Sequence, residues 1–200
     1  MKLSNNFSLK EMLKSQTASR LGGAILRAQQ NPPPKIIARL KYHCENTAQK
    51  ARDFLGAAIA TGSGYRCDEL NTAIGGSKTS QHSKGEATDE ELAEAFLTDP
   101  SEKAQAAKTE LDALVHTITG KPIRKDVNSN FYLFAYYVLF IHLTDVDQVI
   151  HEFGEDGEPD WVHVSSSEQL NRRQILIVRK VGKKSVYENL TTKSALMLGC

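Results

Sequence analysis

Gln148-Val149-Ile150-His151-Glu152-Phe153, then Gly154-Glu155-Asp156-Gly157-Glu158-Pro159, then Asp160 and Trp161-Val162-His163-Val164-Ser165: this stretch decides the fold class. The first and last runs are short and rich in β-branched and aromatic residues, and the segment between them is turn chemistry. Two strands are predicted, over 148–153 and 161–165. In an alternating strand Trp161, His163 and Ser165 share one face, while His151 and Glu152 point to opposite faces. Downstream, Gln174–Arg179 and Ser185–Glu188 flank Val181-Gly182-Lys183-Lys184 and predict a terminal hairpin.

Upstream the pattern is helical. Ser8 followed by Glu11 reads as a capping box for a short helix over Leu9–Lys14. Asn31-Pro32-Pro33-Pro34 breaks the chain, and a helix from about Lys35 to Leu55 follows, burying Ile36, Ile37, Leu40, Ala48, Ala51, Phe54 and Leu55. Ala57–Thr61 reads as a short strand. Asp99-Pro100 reads as an N-cap and first helical position. Ala104, Ala107, Leu111, Leu114, Val115 and Ile118 then recur at helical spacing up to Gly120. Another helix is predicted to start after Asn130 and run to about His142. Helices first and strands last give an α+β fold, an antiparallel sheet with flanking helices.

A chain of 200 residues fits one domain with a sizeable core. A net charge of +1, with no basic tract, points away from nucleic acid and membrane surfaces. The N-terminal segment MKLSNNFSLKEML has no apolar run of the secretory type, so a chain made without an export signal is expected. The longest apolar stretch, Phe131–Leu143, is too short for a bilayer, so no membrane insertion is expected. Cys44, Cys67 and Cys200 have no CxxC spacing and read as reduced.

Residues 62–89 differ in kind, with five glycines (Gly62, Gly64, Gly75, Gly76, Gly85), many hydroxyls and almost no apolar run. They read as a long loop, functional or disordered, with room for short strands inside it. Within it stands Ser80-Gln81-His82-Ser83-Lys84-Gly85-Glu86-Ala87-Thr88-Asp89. An imidazole and a carboxylate at this spacing suit a metal site, with Gly85 letting the backbone fold back. On spacing alone, a loop histidine and a surface aspartate are the plainer reading. His163, on its strand face, is a candidate third ligand; His43 and His116 read as solvated or packed helix positions.

Three segments taken together resemble the zinc D-Ala-D-Ala carboxypeptidase family, which includes D,D-peptidases and phage endolysins. They are Ser63-Gly64-Tyr65-Arg66 with Leu70-Asn71 and Gly75-Gly76-Ser77; Ser80-Gln81-His82 with Gly85, Ala87 and Asp89; and Asp147-Gln148-Val149-Ile150 with Glu152 and Trp161-Val162-His163-Val164-Ser165. Phe7-Ser8-Leu9-Lys10-Glu11-Met12 resembles the phage-type branch. The resemblance implies a zinc D,D-peptidase (Hedgehog-like) fold, with one Zn²⁺ held by His82, Asp89 and His163. It implies a general base, for which Glu152 matches the family position best; Asp160, three residues before the last histidine, is the alternative. Arg66 is the implied anchor for a substrate carboxylate, and Ser80 and Gln81 either bind substrate or orient the loop.

The implied activity is hydrolysis of an amide bond in a peptidoglycan stem peptide, by a monomer. For a phage-encoded chain that means host cytoplasm before release to the wall. A non-catalytic zinc module for peptide recognition, or a phage structural module, is the alternative. One departure from the family pattern follows Asp89. The apolar strand continuation is replaced by Glu90-Glu91-Leu92-Ala93-Glu94, and about residues 91–127 read as a helical insertion beside the core that supplies no zinc ligand.

Overall fold

The computed structural model describes residues 1–92, 101–124, 131–143 and 146–200. The α+β expectation holds. Among the described residues six strands form one sheet: β1 (Ile59–Ser63), β2 (Ala87–Leu92), β3 (Gln148–Glu152), β4 (Trp161–Ser165), β5 (Gln174–Val181) and β6 (Lys184–Leu190). Their order is β1-β2-β4-β3-β5-β6. Neighbours are antiparallel except β3 and β5, which run parallel. The antiparallel expectation is therefore corrected at one pairing. The chain leaves β4 at one end of the sheet and returns through residues 166–173 to lie beside β3 in the same direction.

The helices are α1 (Leu9–Met12), α2 (Gln16–Leu21), α3 (Gly23–Gln30), α4 (Pro34–His43), α5 (Gln49–Leu55), α6 (Asp68–Ala73), α7 (Gln81–Lys84), α8 (Glu102–Thr119), α9 (Phe131–Leu143) and α10 (Thr192–Met197). Ser8 and Glu11 form the expected capping box on α1. The single helix read over 35–55 is two, joined by a π turn over Cys44–Ala48 in which the Thr47 hydroxyl donates to the His43 carbonyl. A π turn is a rare local widening with no residue preference of its own, so the sequence does not mark it.

Helix α9 lies against β2, β3 and β4 on one side and α5 and α10 on others. Tyr136, Tyr137, Val138, Leu139 and Phe140 are all buried. A helix enclosed this way is apolar all round, which accounts for the run at 131–143. No helix among the described residues is long and apolar enough to cross a membrane.

Two expectations change around β2. Residues 62–89 are not one loop, since they contain α6, α7 and the start of β2. Polar side chains, not an apolar run, organise this segment. The buried Gln29 amide donates to the carbonyls of Leu13 and Tyr65 and accepts from the Cys67 amide, at 3.1, 2.7 and 3.0 Å. Asn71 donates to the Ser77 carbonyl at 2.8 Å.

The segment from 91 is not helical at its start either. Glu91 and Leu92 complete β2, because Asp89-Glu90-Glu91 is clamped between β1 and β4. Strand alternation drives Glu90 into the core. There the Thr61 hydroxyl donates to it at 3.2 Å, and burial pushes its carboxyl up to about 8. Asp99-Pro100 lies outside the described residues; α8 is capped by Ser101, whose side chain accepts from the Ala104 amide. Its buried stripe, Ala104, Ala107, Leu111 and Val115, packs toward α5 and α10, and none of its residues lines the cleft described below.

His43, expected as a solvated or packed helix position, is fully buried between the helices and the sheet. Its ring nitrogens are hydrogen-bonded to the hydroxyls of Ser166 and Thr88, both at 2.8 Å. Burial, with the nearby His163 and His82, lowers its pKa from 6.5 to about 3. A group depressed in the folded state stabilises fully above its unfolded value and loses that contribution as pH falls through the folded value. Between pH 6.5 and 5 this one residue is expected to remove about 2 kcal/mol of stability. Denaturant unfolding at pH 7 and 5 checks this: His43→Gln is expected to show the smaller loss on acidification, and equal losses in variant and wild type would contradict it.

Candidate metal centre

Three elements converge on one point. His82 sits on α7, a single turn ended by Gly85 at φ 71, a backbone region open to glycine. A Cβ at Gly85 would also stand 2.9 Å from the Ile36 carbonyl oxygen. This reversal sends the chain from α7 straight into β2, where Asp89 follows. Asp89 lies opposite His163 in the β2–β4 ladder, His163 lies opposite Ile150 in the β3–β4 ladder, and Glu152 lies opposite Trp161. Opposed residues share a sheet face, so Asp89, His163 and Glu152 look the same way. Thr88, Glu90, His151, Val162 and Val164 look into the core.

His82 Nε2, His163 Nδ1 and Asp89 Oδ1 form a near-equilateral triangle, with separations of 3.1, 3.0 and 3.2 Å. Each ring's other nitrogen is engaged elsewhere. His82 Nδ1 donates to the Gly64 carbonyl at 2.7 Å, and His163 Nε2 donates to Gln81 Oε1 at 3.3 Å. The carbonyl of Gly64 is held in place because the chain passes hard against α1: Tyr65 N donates to the Met12 carbonyl at 2.8 Å, and a Cβ at Gly64 would lie 2.6 Å from that oxygen.

With the ring protons on the outer nitrogens, two imidazole lone pairs and a carboxylate oxygen point at one another with no hydrogen between them. A metal cation, or a proton taken up by one imidazole, relieves that arrangement. A tetrahedral ion with bonds of about 2.0–2.1 Å needs donors about 3.3 Å apart, close to the observed spacing. Two histidines, one carboxylate and an open side toward solvent suit zinc, and the open position is the mark of a catalytic site. His82, Asp89 and His163 also form a metal-capable group by proximity, with both histidines buried and Asp89 partly so. Burial alone would raise the Asp89 carboxyl, but the adjoining His82 and His163 outweigh it and hold the group well below the usual range, so it is ionised.

A cleft of about 1250 Å³ opens over this face. Arg66, Ser80, Gln81 and Glu152 line it beside the triangle, together with Trp161 and Tyr187. Arg66 lies at the cleft wall with one guanidinium nitrogen donating to Ser63 Oγ at 3.2 Å. Burial, and then the charge on Asp89, raises the Glu152 carboxyl above its ordinary value, against the pull of His163 and Arg66. Asp160 is exposed and does not line the cleft; its amide donates to the Glu152 carbonyl at 3.0 Å. His151 faces the core, as strand alternation predicts, with Nε2 accepting from the Gly157 amide at 3.2 Å. Gln81 touches His163, so its position is beside a candidate ligand. Sequence reasoning missed Arg172, which lines the cleft and pairs with Asp147. Nothing in Asn171-Arg172-Arg173 marks it out before the fold is known. Cys44, Cys67 and Cys200 are all free, in line with their reading as reduced.

A family model described as Peptidase M15 matches residues 5–114, more than half of the chain. The match includes Arg66, Ser80, Gln81, His82 and Asp89, and stops before Glu152 and His163. No curated protein and no solved structure matches. The matched half supplies two corners of the triangle and the unmatched half the third, joined by the β2–β4 ladder, and on that match the chain belongs to the peptidase M15 family.

Proposed function

We propose that this chain is a zinc-dependent peptidase that hydrolyses an amide bond in bacterial cell-wall peptides, as a D,D-carboxypeptidase or an endolysin-type endopeptidase. The observation that carries the reading is the convergence of three lone pairs beside a carboxylate with a raised pKa, in one cleft. Family membership implies a metallopeptidase. His82, Asp89 and His163 would hold the zinc. When bound, the ion supplies Lewis acidity toward the scissile carbonyl and acidifies the attacking water. Glu152 takes a proton from that water as it attacks and delivers it to the leaving amine. One carboxylate can serve both halves of that task, as base in its ionised form and as acid once it holds the proton.

Arg66 stands at the wall of the cleft as a fork for a carboxylate, which wall stem peptides carry at their termini and side chains. The partner is thus a peptidoglycan stem peptide, and a phage-encoded lysin held in the host cytoplasm until release is a natural setting. Hydrolysis of purified peptidoglycan by zinc-loaded protein tests the reading, with mass analysis of the fragments identifying the bond. Zinc bound at one equivalent with no fragment released from any wall type would sink it in favour of a binding module. Arg66→Lys keeps the charge but loses the two parallel bonds. It is expected to raise KM for a wall peptide roughly tenfold with kcat little changed. An unchanged KM would remove Arg66 from the substrate site.

A further inference from the structure

We propose that Asp147 and Arg172 act through Gln81 to fix the tautomer of His163, making these three residues positioning residues for the metal centre. The inference deepens the zinc reading above and rests on it. The two histidines of the triangle are held differently. His82 donates its outer proton to a backbone carbonyl, which can only accept. His163 meets a side-chain amide, which presents oxygen in one orientation and nitrogen in the other. With the oxygen forward, His163 keeps its proton on Nε2 and offers the Nδ1 lone pair to the centre. With the nitrogen forward, the amide would donate to Nε2, and the proton would move to Nδ1, where it blocks the ligand.

Asp147 decides between these orientations. Gln81 Nε2 donates to its Oδ2 at 2.5 Å. The remaining contacts of the carboxylate also come from donors. Arg172 Nε and the Arg172 backbone amide reach Oδ1 at 2.8 and 2.9 Å, and Arg172 Nη2 reaches Oδ2 at 2.5 Å. A carboxylate ringed by four donors accepts only, so the amide nitrogen of Gln81 must face it and the amide oxygen must face His163. Burial raises the Asp147 carboxyl, and the hydrogen bonds from Arg172 outweigh it and keep the group ionised. The backbone of Asp147 is pinned as well, its amide donating to the Ser165 carbonyl and its carbonyl accepting from the Gln174 amide, at 2.8 and 2.9 Å. The Asp147 end of the relay therefore hangs from β4 and β5, and Gln81, at the start of α7, is held to that fixed point. Partners of this kind on metal-binding histidines are worth about 10–100-fold in metal affinity.

Asp147→Asn is the near-isosteric test. An asparagine both donates and accepts, so Gln81 is released to turn either way, while the half-exposed Arg172 stays solvated. Long-range ¹H–¹⁵N NMR on the metal-free protein reads the His163 tautomer directly. Wild type is expected to carry the proton on Nε2 alone, and Asp147→Asn and Gln81→Leu to show a mixture. Zinc affinity, by competition with a chromogenic chelator, is expected to fall 10–100-fold in both variants. An Nε2-protonated ring in both, with zinc affinity within about twofold of wild type, would overturn the relay. Failure of the zinc reading is separately visible, as wild type that binds no zinc while its metal-free tautomer still responds to the variants.

Discussion

His163→Ala is expected to abolish zinc binding at working concentrations and peptide hydrolysis with it. A four-ligand zinc site is worth about 10–16 kcal/mol, so one ligand carries about 2.5–4 kcal/mol, or roughly 10²–10³ in affinity. In this chain the loss is compounded, because His163 also meets both other corners of the triangle, at 3.0 and 3.1 Å. Without it, His82 and Asp89 remain as a two-donor pair that closes as a simple hydrogen bond. The fold should survive, since β4 is held by its ladders to β2 and β3 and by Val162 and Val164 in the core. Isothermal titration with zinc and a thermal melt with and without the metal check both statements. Wild type at a thousandfold excess of zinc over Kd is expected to gain about 4 kcal/mol of stability, and His163→Ala almost none. Stoichiometric zinc bound equally tightly by the variant would show that the ion sits elsewhere.

Glu152→Gln is expected to leave zinc bound and to lower hydrolysis by roughly 10²–10⁴-fold, the scale of general-base catalysis. The substitution keeps shape and hydrogen-bonding reach and removes basicity. The acidic limb of the wild-type rate profile should report the same group. Protonation of Glu152 removes the base, so activity is expected to fall as pH drops through its value in the zinc-loaded protein. That limb is expected to vanish in Glu152→Gln. Asp160→Asn is the control and is expected to cost far less, because Asp160 is exposed and lies outside the cleft lining. A dead Asp160 variant beside an active Glu152 variant would move the base to Asp160 and leave the peptidase reading standing.

The sequence by itself determined the local elements whose signals are local. The capping box at Ser8 and Glu11, the strands over 148–152 and 161–165, the hairpin around Gly182 and the buried stripe of α8 all follow from short-range periodicity and turn chemistry. It also put His82, Asp89, His163, Glu152 and Arg66 forward as a set, because a motif resemblance joins residues that spacing leaves unconnected.

Tertiary structure alone decided the rest. Asp89-Glu90-Glu91 has no strand propensity and becomes β2 only because β1 and β4 clamp it from both sides. Residues 62–89 look structureless until Gln29, far away in sequence, ties their backbone down. The parallel pairing of β3 with β5 depends on the path of residues 166–173, for which no local pattern exists. The link from Arg172 through Asp147 and Gln81 to His163 joins four residues spread over more than 90 positions. Hydrogen bonds between side chains distant in sequence leave no periodic trace, so they become legible only once strand register has brought their partners within reach.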